Sequence, residues 1–190
     1  MGVKINLHNL LNGVEGNDSD VIDTIADTID RVATGFVKGM GHESMWLTLR
    51  ITFPDESFDV PRWHTDGRYF DTDEPVHKLA ATLKDAQTRF AKITDIEKFN
   101  ALDEETYKND EKQQTYEEFL ARDIEIRKEI EQTVEEIIIS EYGEGVIFQV
   151  GDKDAVPHSE PPTTGLRIFV SVVGGTKEQI EEMKVRKRIT

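Results

Sequence analysis

Apolar positions along residues 18–38 recur at helical spacing: Val21, Ile22, Ile25, Ile29, Val32 and Phe36 share one stripe, and Asp and Ser residues precede them as cap candidates. The spacing predicts an amphipathic helix, broken by Gly39 and Gly41. From Ser44 the period changes to two. Met45, Leu47, Leu49, Ile51 and Phe53 alternate with Trp46, Thr48, Arg50 and Thr52, the pattern of a strand with one apolar and one mixed face. Pro54-Asp55-Glu56-Ser57 reads as a turn, after which an extended segment leads through Val60 to His64, and Lys78–Leu83 reads as a further strand.

Residues 98–140 are rich in Glu, Asp, Lys and Gln, and Tyr116, Phe119, Leu120, Ile124, Ile130, Val134 and Ile137 recur at helical spacing. This predicts one long helix with a polar lead-in, ended by Gly143 and Gly145. Its simplest use is a solvated face with an apolar stripe against the domain; a lid or docking surface is the alternative. Val146–Val150 is then a short strand, Gly151–Asp154 a turn and Leu166–Val173 a β-branched strand closed by Gly174-Gly175, with a charged helix from Thr176. There are no internal repeats.

Length and composition narrow the function classes. A chain of 190 residues suits a single domain with a sizeable core. No apolar run reaches the ~18 residues that span a bilayer, and the start MGVKINLHNLLNG has neither a secretory pattern nor a myristoylation motif. With no cysteine, disulfides, zinc-thiolate sites and cysteine nucleophiles are excluded, and a cytoplasmic location is expected. The net charge of −15 opposes non-specific binding to nucleic acid. The basic cluster Lys184, Arg186, Lys187 and Arg188 reads as a solvated tail. Glycine-rich phosphate loops, GxSxG elbows and HExxH helices are absent.

The chemistry-bearing residues lie in two segments. PRWHTDGRYF carries His64 and Asp66, and AVPHSEPPTTGLRIFVSV carries His158 and Arg167. Side chains two apart on a strand point the same way, so His64 and Asp66 can reach one metal, and His158 can join them from a neighbouring strand. Two imidazoles and a carboxylate on one face leave open positions on the other, the arrangement suited to iron(II). Arg167 would aim a planar cation at something bound there.

Together the strand, Gly-Asp turn, Pro-His, Pro-rich loop and Gly-x-Arg-strand layout and the HTD motif resemble the iron(II)/2-oxoglutarate-dependent oxygenases, over roughly residues 44–83 and 143–173. The resemblance implies an α+β fold with a double-stranded β-helix (jelly-roll, cupin-like) core and flanking helices. It implies one domain over residues 1–190, with a helical insertion at about 98–142. His64, Asp66 and His158 would be the catalytic iron ligands, and Arg167 would pair with the distal carboxylate of 2-oxoglutarate. Oxygen would be consumed, with ascorbate as accompanying reductant, to hydroxylate or demethylate a substrate the sequence does not identify. Phe169 stands where some members carry a serine two residues after the arginine.

If Met45–Phe53 buries its apolar face against helices, Trp46, Thr48, Arg50 and Thr52 face the interior, where Arg50 needs an anionic partner. A co-substrate or substrate carboxylate would serve, making Arg50 and Thr48 candidate co-substrate contacts, with Thr82 a weaker one; the alternative is an exposed edge strand with Arg50 in water. Trp63 and Tyr69 line a pocket or serve packing, and His8, His42 and His77 read as surface residues. Two alternatives make different geometric demands. A cupin-like metalloprotein without 2-oxoglutarate has Arg167 facing solvent or a structural carboxylate. A non-enzymatic interaction protein on a degenerate barrel, binding through its acidic helix, has triad side chains that do not converge, or that converge without metal.

Overall fold

In a computed structural model the described residues are 19–54, 59–67, 69–110, 114–151 and 154–187. His8, the turn at 55–57, Arg188 and the centre of the 151–154 turn lie outside them, as do the side chains of Val21 and Ile22. The fold is α+β, with four helices among the described residues: α1 (Ser19–Gly39), α2 (Ile96–Asp110), α3 (Tyr116–Glu131) and α4 (Lys177–Arg186). The strands are β1 (Ser44–Thr52), β2 (Val76–Lys84), β3 (Arg89–Ile93), β4 (Val134–Ile139), β5 (Gly145–Val150), β6 (His158–Ser159) and β7 (Arg167–Gly175). Two compact units divide the chain, residues 48–171 and residues 1–47 with 172–190.

In the smaller unit, α1 buries Ile29, Ala33, Phe36 and Val37 and leaves Val32 exposed, so its buried stripe is narrower than the sequence spacing predicts. The helix ends in a Schellman pattern: the His42 amide donates to the Val37 carbonyl (2.9 Å) and the Gly41 amide to Lys38 (3.1 Å). Gly41 there has φ of 72°, a left-handed conformation that glycine adopts without a Cβ penalty. His42 is half-buried, its ring 6.5 Å from that of Phe36. Thr176 caps α4 in a reciprocal capping box with Gln179, and Ile180 and Met183 face inward.

The strands, which lie within residues 48–171 apart from the start of β1 and the end of β7, form two sheets, one in the order β1-β7-β2-β5 and one in the order β4-β3-β6. β2 runs antiparallel to β5 from Val76↔Val150 to Ala81↔Gly145. β3 runs antiparallel to both its neighbours, β4 and β6. Ala80, Phe148, Val150 and Phe169 of the first sheet bury against Phe90 of the second, so one core cluster lies between the sheets. A second cluster joins Trp63 and Ala91 to Phe99, Leu102, Ile126 and Ile130 of α2 and α3.

The segment expected to be one long helix is two helices and a strand. Thr115 begins α3 with a capping box to Glu118. Buried Asn109 ties the two helices, its Nδ2 donating to the Phe119 carbonyl (3.3 Å) and its side-chain oxygen accepting from Gln114. Val134–Ile139 pairs with β3, from Arg89↔Ile139 to Ile93↔Val134. Val134 and three consecutive isoleucines suit a pleated strand, where β-branched side chains lose less χ1 freedom than in a helix. β3 and β6 went unread because five- and two-residue strands carry almost no periodicity.

Candidate metal centre

The HTD segment joins the second sheet beside β6. His64 and His158 exchange both backbone hydrogen bonds, amide to carbonyl at 3.0 and 2.9 Å, so the two imidazoles stand on one face with centroids 4.4 Å apart. Asp66, two residues on, projects from the same face. One ligand atom from each of His64, Asp66 and His158 lies within 4.8 Å of the others, a spacing that could hold a metal ion. His158 thus stands on the segment paired with the one that carries His64 and Asp66.

Both rings are oriented from behind. His64 Nδ1 lies 2.9 Å from the Arg62 carbonyl and His158 Nδ1 3.0 Å from the Val156 carbonyl. A carbonyl only accepts, so each Nδ1 is a donor, and in a neutral imidazole held this way Nε2 is the nitrogen with the lone pair. Such a backing hydrogen bond is what fixes a metal-binding tautomer. His158 packs against Phe148 and Phe90, with centroids at 5.1 and 6.2 Å. That burial, reinforced by neighbouring His64, lowers its pKa to about 4, so the ring is neutral at ordinary pH.

Asp66 is the ionised member. Burial raises its pKa, but Lys78, His158 and His64 together outweigh burial and hold the carboxyl below its usual range. Lys78 Nζ donates to Asp66 Oδ2 at 2.7 Å and to the Tyr69 hydroxyl at 3.3 Å. The Asp66 carbonyl accepts from the Gly151 amide (3.0 Å), where φ of 107° demands glycine. Between the ligands, Thr65 donates through its amide (3.1 Å) and hydroxyl (2.9 Å) to Oδ2 of buried Asp103, a residue of α2.

Sequence reading missed Lys78 and Asp103, although each carries a faint signal. Lys78, Ala80 and Thr82 alternate on β2, and Ala80 and Thr82 are buried. Asp103 is four residues after fully buried Phe99 and so falls on the inner face of α2.

Arg167, at the start of β7, is buried to 2% exposure. Its Nε donates to the Ala86 carbonyl (3.0 Å), and its Nη2 donates to the hydroxyls of Thr82 (3.2 Å) and Thr88 (3.0 Å). The guanidinium lies 4.8 Å from the centroid of the Phe169 ring. Among the described residues it has no ion pair with a carboxylate. Burial presses its pKa down while Glu160 and Asp85 favour the charge.

One cavity of about 240 Å³ takes in both features. Its lining includes His64, Asp66, His158, Lys78, Thr88 and Arg167. Arg50, Arg62 and Glu160 complete its charged lining. Four cations thus face two carboxylates in a protein whose net charge is −15. Arg50 lines the cavity from β1, the edge strand of the first sheet, with its side chain half exposed and Glu160 at 3.3 Å. Thr48, two positions before Arg50 on the same face of β1, is not among the residues lining this cavity. Thr82 acts one step back, through Arg167. Tyr69 touches Lys78, and Trp63 is core.

No family model and no curated protein matches the chain. Among solved structures, the chain is similar to a YbjQ-like protein of unknown function from Sulfolobus solfataricus P2, with 10% identity, a TM-score of 0.21, and coverage of 69% of this chain and 99% of that one. A likeness of that size carries no inference about fold or function. Among the described residues, no helix is long and apolar enough to cross a membrane.

Proposed function

We propose that this chain is an iron(II)- and 2-oxoglutarate-dependent oxygenase on a distorted double-stranded β-helix, hydroxylating or demethylating its substrate. The observation that carries the reading is the shared cavity: a three-ligand face and a buried guanidinium without a carboxylate border the same space. The donor set fits the metal. Two imidazoles backed at Nδ1 and one ionised carboxylate are what iron(II) takes while keeping open positions.

His64, Asp66 and His158 would hold the iron, which supplies the oxygen chemistry coupled to oxidative decarboxylation of 2-oxoglutarate to succinate. The chain's own residues do the rest. Arg167, held by Ala86, Thr82 and Thr88, grips the distal carboxylate of the co-substrate. Lys78 keeps Asp66 ionised and turned toward the histidines. Phe148 and Phe90 exclude water behind His158.

Both alternatives explain less. A metalloprotein without 2-oxoglutarate gives no use to a buried arginine that, among the described residues, makes no ion pair with a carboxylate. An interaction protein, in which the three donors can converge without metal, gives no use to the hydrogen bonds that orient both imidazoles from behind. Succinate formation with iron(II), ascorbate and 2-oxoglutarate tests the reading. The expected result is slow turnover in the wild type, none in Asp66→Ala, and a much higher 2-oxoglutarate requirement in Arg167→Ala. No succinate, together with no calorimetric binding of iron(II) or 2-oxoglutarate, would overturn it.

A further inference from the structure

The cavity holds a second set of charged groups that the metal and the co-substrate leave unused. Lys78 is engaged by Asp66, and Arg167 by Thr82, Thr88 and Ala86. Arg50 and Arg62 remain, and both reach a single atom: Glu160 Oε1, at 3.3 Å from Arg50 Nη1 and 3.8 Å from Arg62 Nη2. The other carboxylate oxygen, Glu160 Oε2, and the Arg62 Nε are buried without a hydrogen-bond partner among the described residues. Two guanidiniums therefore share half of one carboxylate, while an acceptor and a donor stand unsatisfied beside them. Buried polar atoms are almost always paired, and an orphaned pair in a cavity points to a missing ligand or water.

The mismatch has a definite chemical sense. Two guanidiniums with one shared counter-charge recruit a carboxylate. A free carboxylate oxygen beside them recruits an N–H or O–H. The side chains of Arg50 and Arg62 are 53% and 42% exposed, so a ligand entering from solvent meets them first. Arg62 is two residues from His64 and Glu160 two residues from His158, on the paired segments that carry the metal ligands. A molecule seated on this cluster lies next to the iron position.

We infer that Arg50, Arg62 and Glu160 form the substrate subsite, and that the substrate is a small carboxylic acid with a neighbouring donor: an α-amino or α-hydroxy acid. Its carboxylate sits between the two arginines, and its amino or hydroxyl group donates to Glu160 Oε2. The inference rests on the oxygenase reading in leaving Arg167 to the co-substrate.

The test is calorimetric titration with the twenty L-α-amino acids and matching α-hydroxy acids, with zinc(II) and 2-oxoglutarate present to fill the centre without turnover. The α-amides serve as carboxylate-blocked probes and the deaminated acids as donor-blocked probes. At least one acid is expected to bind. Its amide, and the acid itself in Arg62→Gln or Arg50→Gln, should bind about tenfold more weakly or worse, the loss of one charge-assisted hydrogen bond. Glu160→Gln should lose the preference for a donor-bearing acid over its deaminated analogue. The arginines are half exposed and the Glu160 change is isosteric, so unchanged melting temperatures are expected to accompany these losses.

No binding by any acid at millimolar concentration would overturn the subsite, as would amides binding as well as acids, or folded arginine variants binding unchanged. The two readings separate cleanly. Succinate formation without acid binding keeps the oxygenase and removes the subsite. Arg62-dependent acid binding by a protein that takes neither iron(II) nor 2-oxoglutarate keeps the subsite and removes the oxygenase.

Discussion

His158 is neutral because it is buried, and that has a cost measurable in the metal-free protein. Its pKa is about 4 in the fold and about 6.5 in an unfolded chain. Between those values the unfolded state binds the proton and the folded state does not, so unfolding is favoured as pH falls. Stability should be full above about pH 6.5 and should decline toward pH 4, by something on the order of 3 kcal/mol. Urea titrations across that range check it: the slope should flatten in His158→Gln. A second prediction concerns Lys78, whose ammonium and a divalent cation would compete for the Asp66 carboxylate. Lys78→Met should bind zinc(II) or iron(II) several-fold more tightly while the metal-free protein becomes less stable, because Asp66 is then buried without its counter-charge. Weaker metal binding in that variant would mean that Lys78 matters as an orienting group instead. The converging group His64, Asp66 and His158, and Arg167, were legible in the sequence because each sits in a short motif. Lys78 and Asp103 were not, since an isolated charge looks the same whether it turns inward or toward water.

At the scale of elements, the acidic segment 96–131 does more than cover the core. Asp103 on α2 holds both polar groups of Thr65, the residue between two of the ligands. Asp103→Ala should free the HTD segment and lower metal affinity roughly tenfold, as loss of supporting hydrogen bonds around metal ligands does. Removing the exposed Glu104–Lys108 pair of the same helix should change it little. Calorimetry with zinc(II) compares the two, and equal effects would remove the positioning role. The helical character of this stretch could be read from its spacing, but its division could not. Ile130, Val134 and Ile137 fit a helical stripe and equally fit the end of a helix followed by a strand. Pairing with β3 decides between them, and β3 is too short to announce itself. The strand order β1-β7-β2-β5 is likewise invisible locally, because every pairing in it joins strands distant in sequence, β1 and β7 more than a hundred residues apart.

For the whole molecule, the sign of the charge reverses between surface and site. The chain carries −15, yet its cavity presents Arg50, Arg62, Lys78 and Arg167 against Asp66 and Glu160. The net charge argued against non-specific nucleic-acid binding, but it describes the surface average, while a concave site sets its own potential. Salt should therefore act in opposite directions on two observables. Screening the surplus negative charge relieves self-repulsion, so the melting temperature of the metal-free protein should rise as sodium chloride increases from about 0.05 to 0.5 M, where the Debye length shrinks well below the ~10 Å of 0.1 M salt. Over the same range 2-oxoglutarate should bind the zinc-loaded protein more weakly, since its attraction to the cavity cations is screened and chloride competes for them. The loss should be smaller in Arg167→Met, which has one cation fewer to screen. Parallel thermal melts and calorimetric titrations give both slopes. Tighter 2-oxoglutarate binding at high salt, following the melting temperature upward, would mean that the net acidity governs the cavity too and that its cations are not the binding determinant.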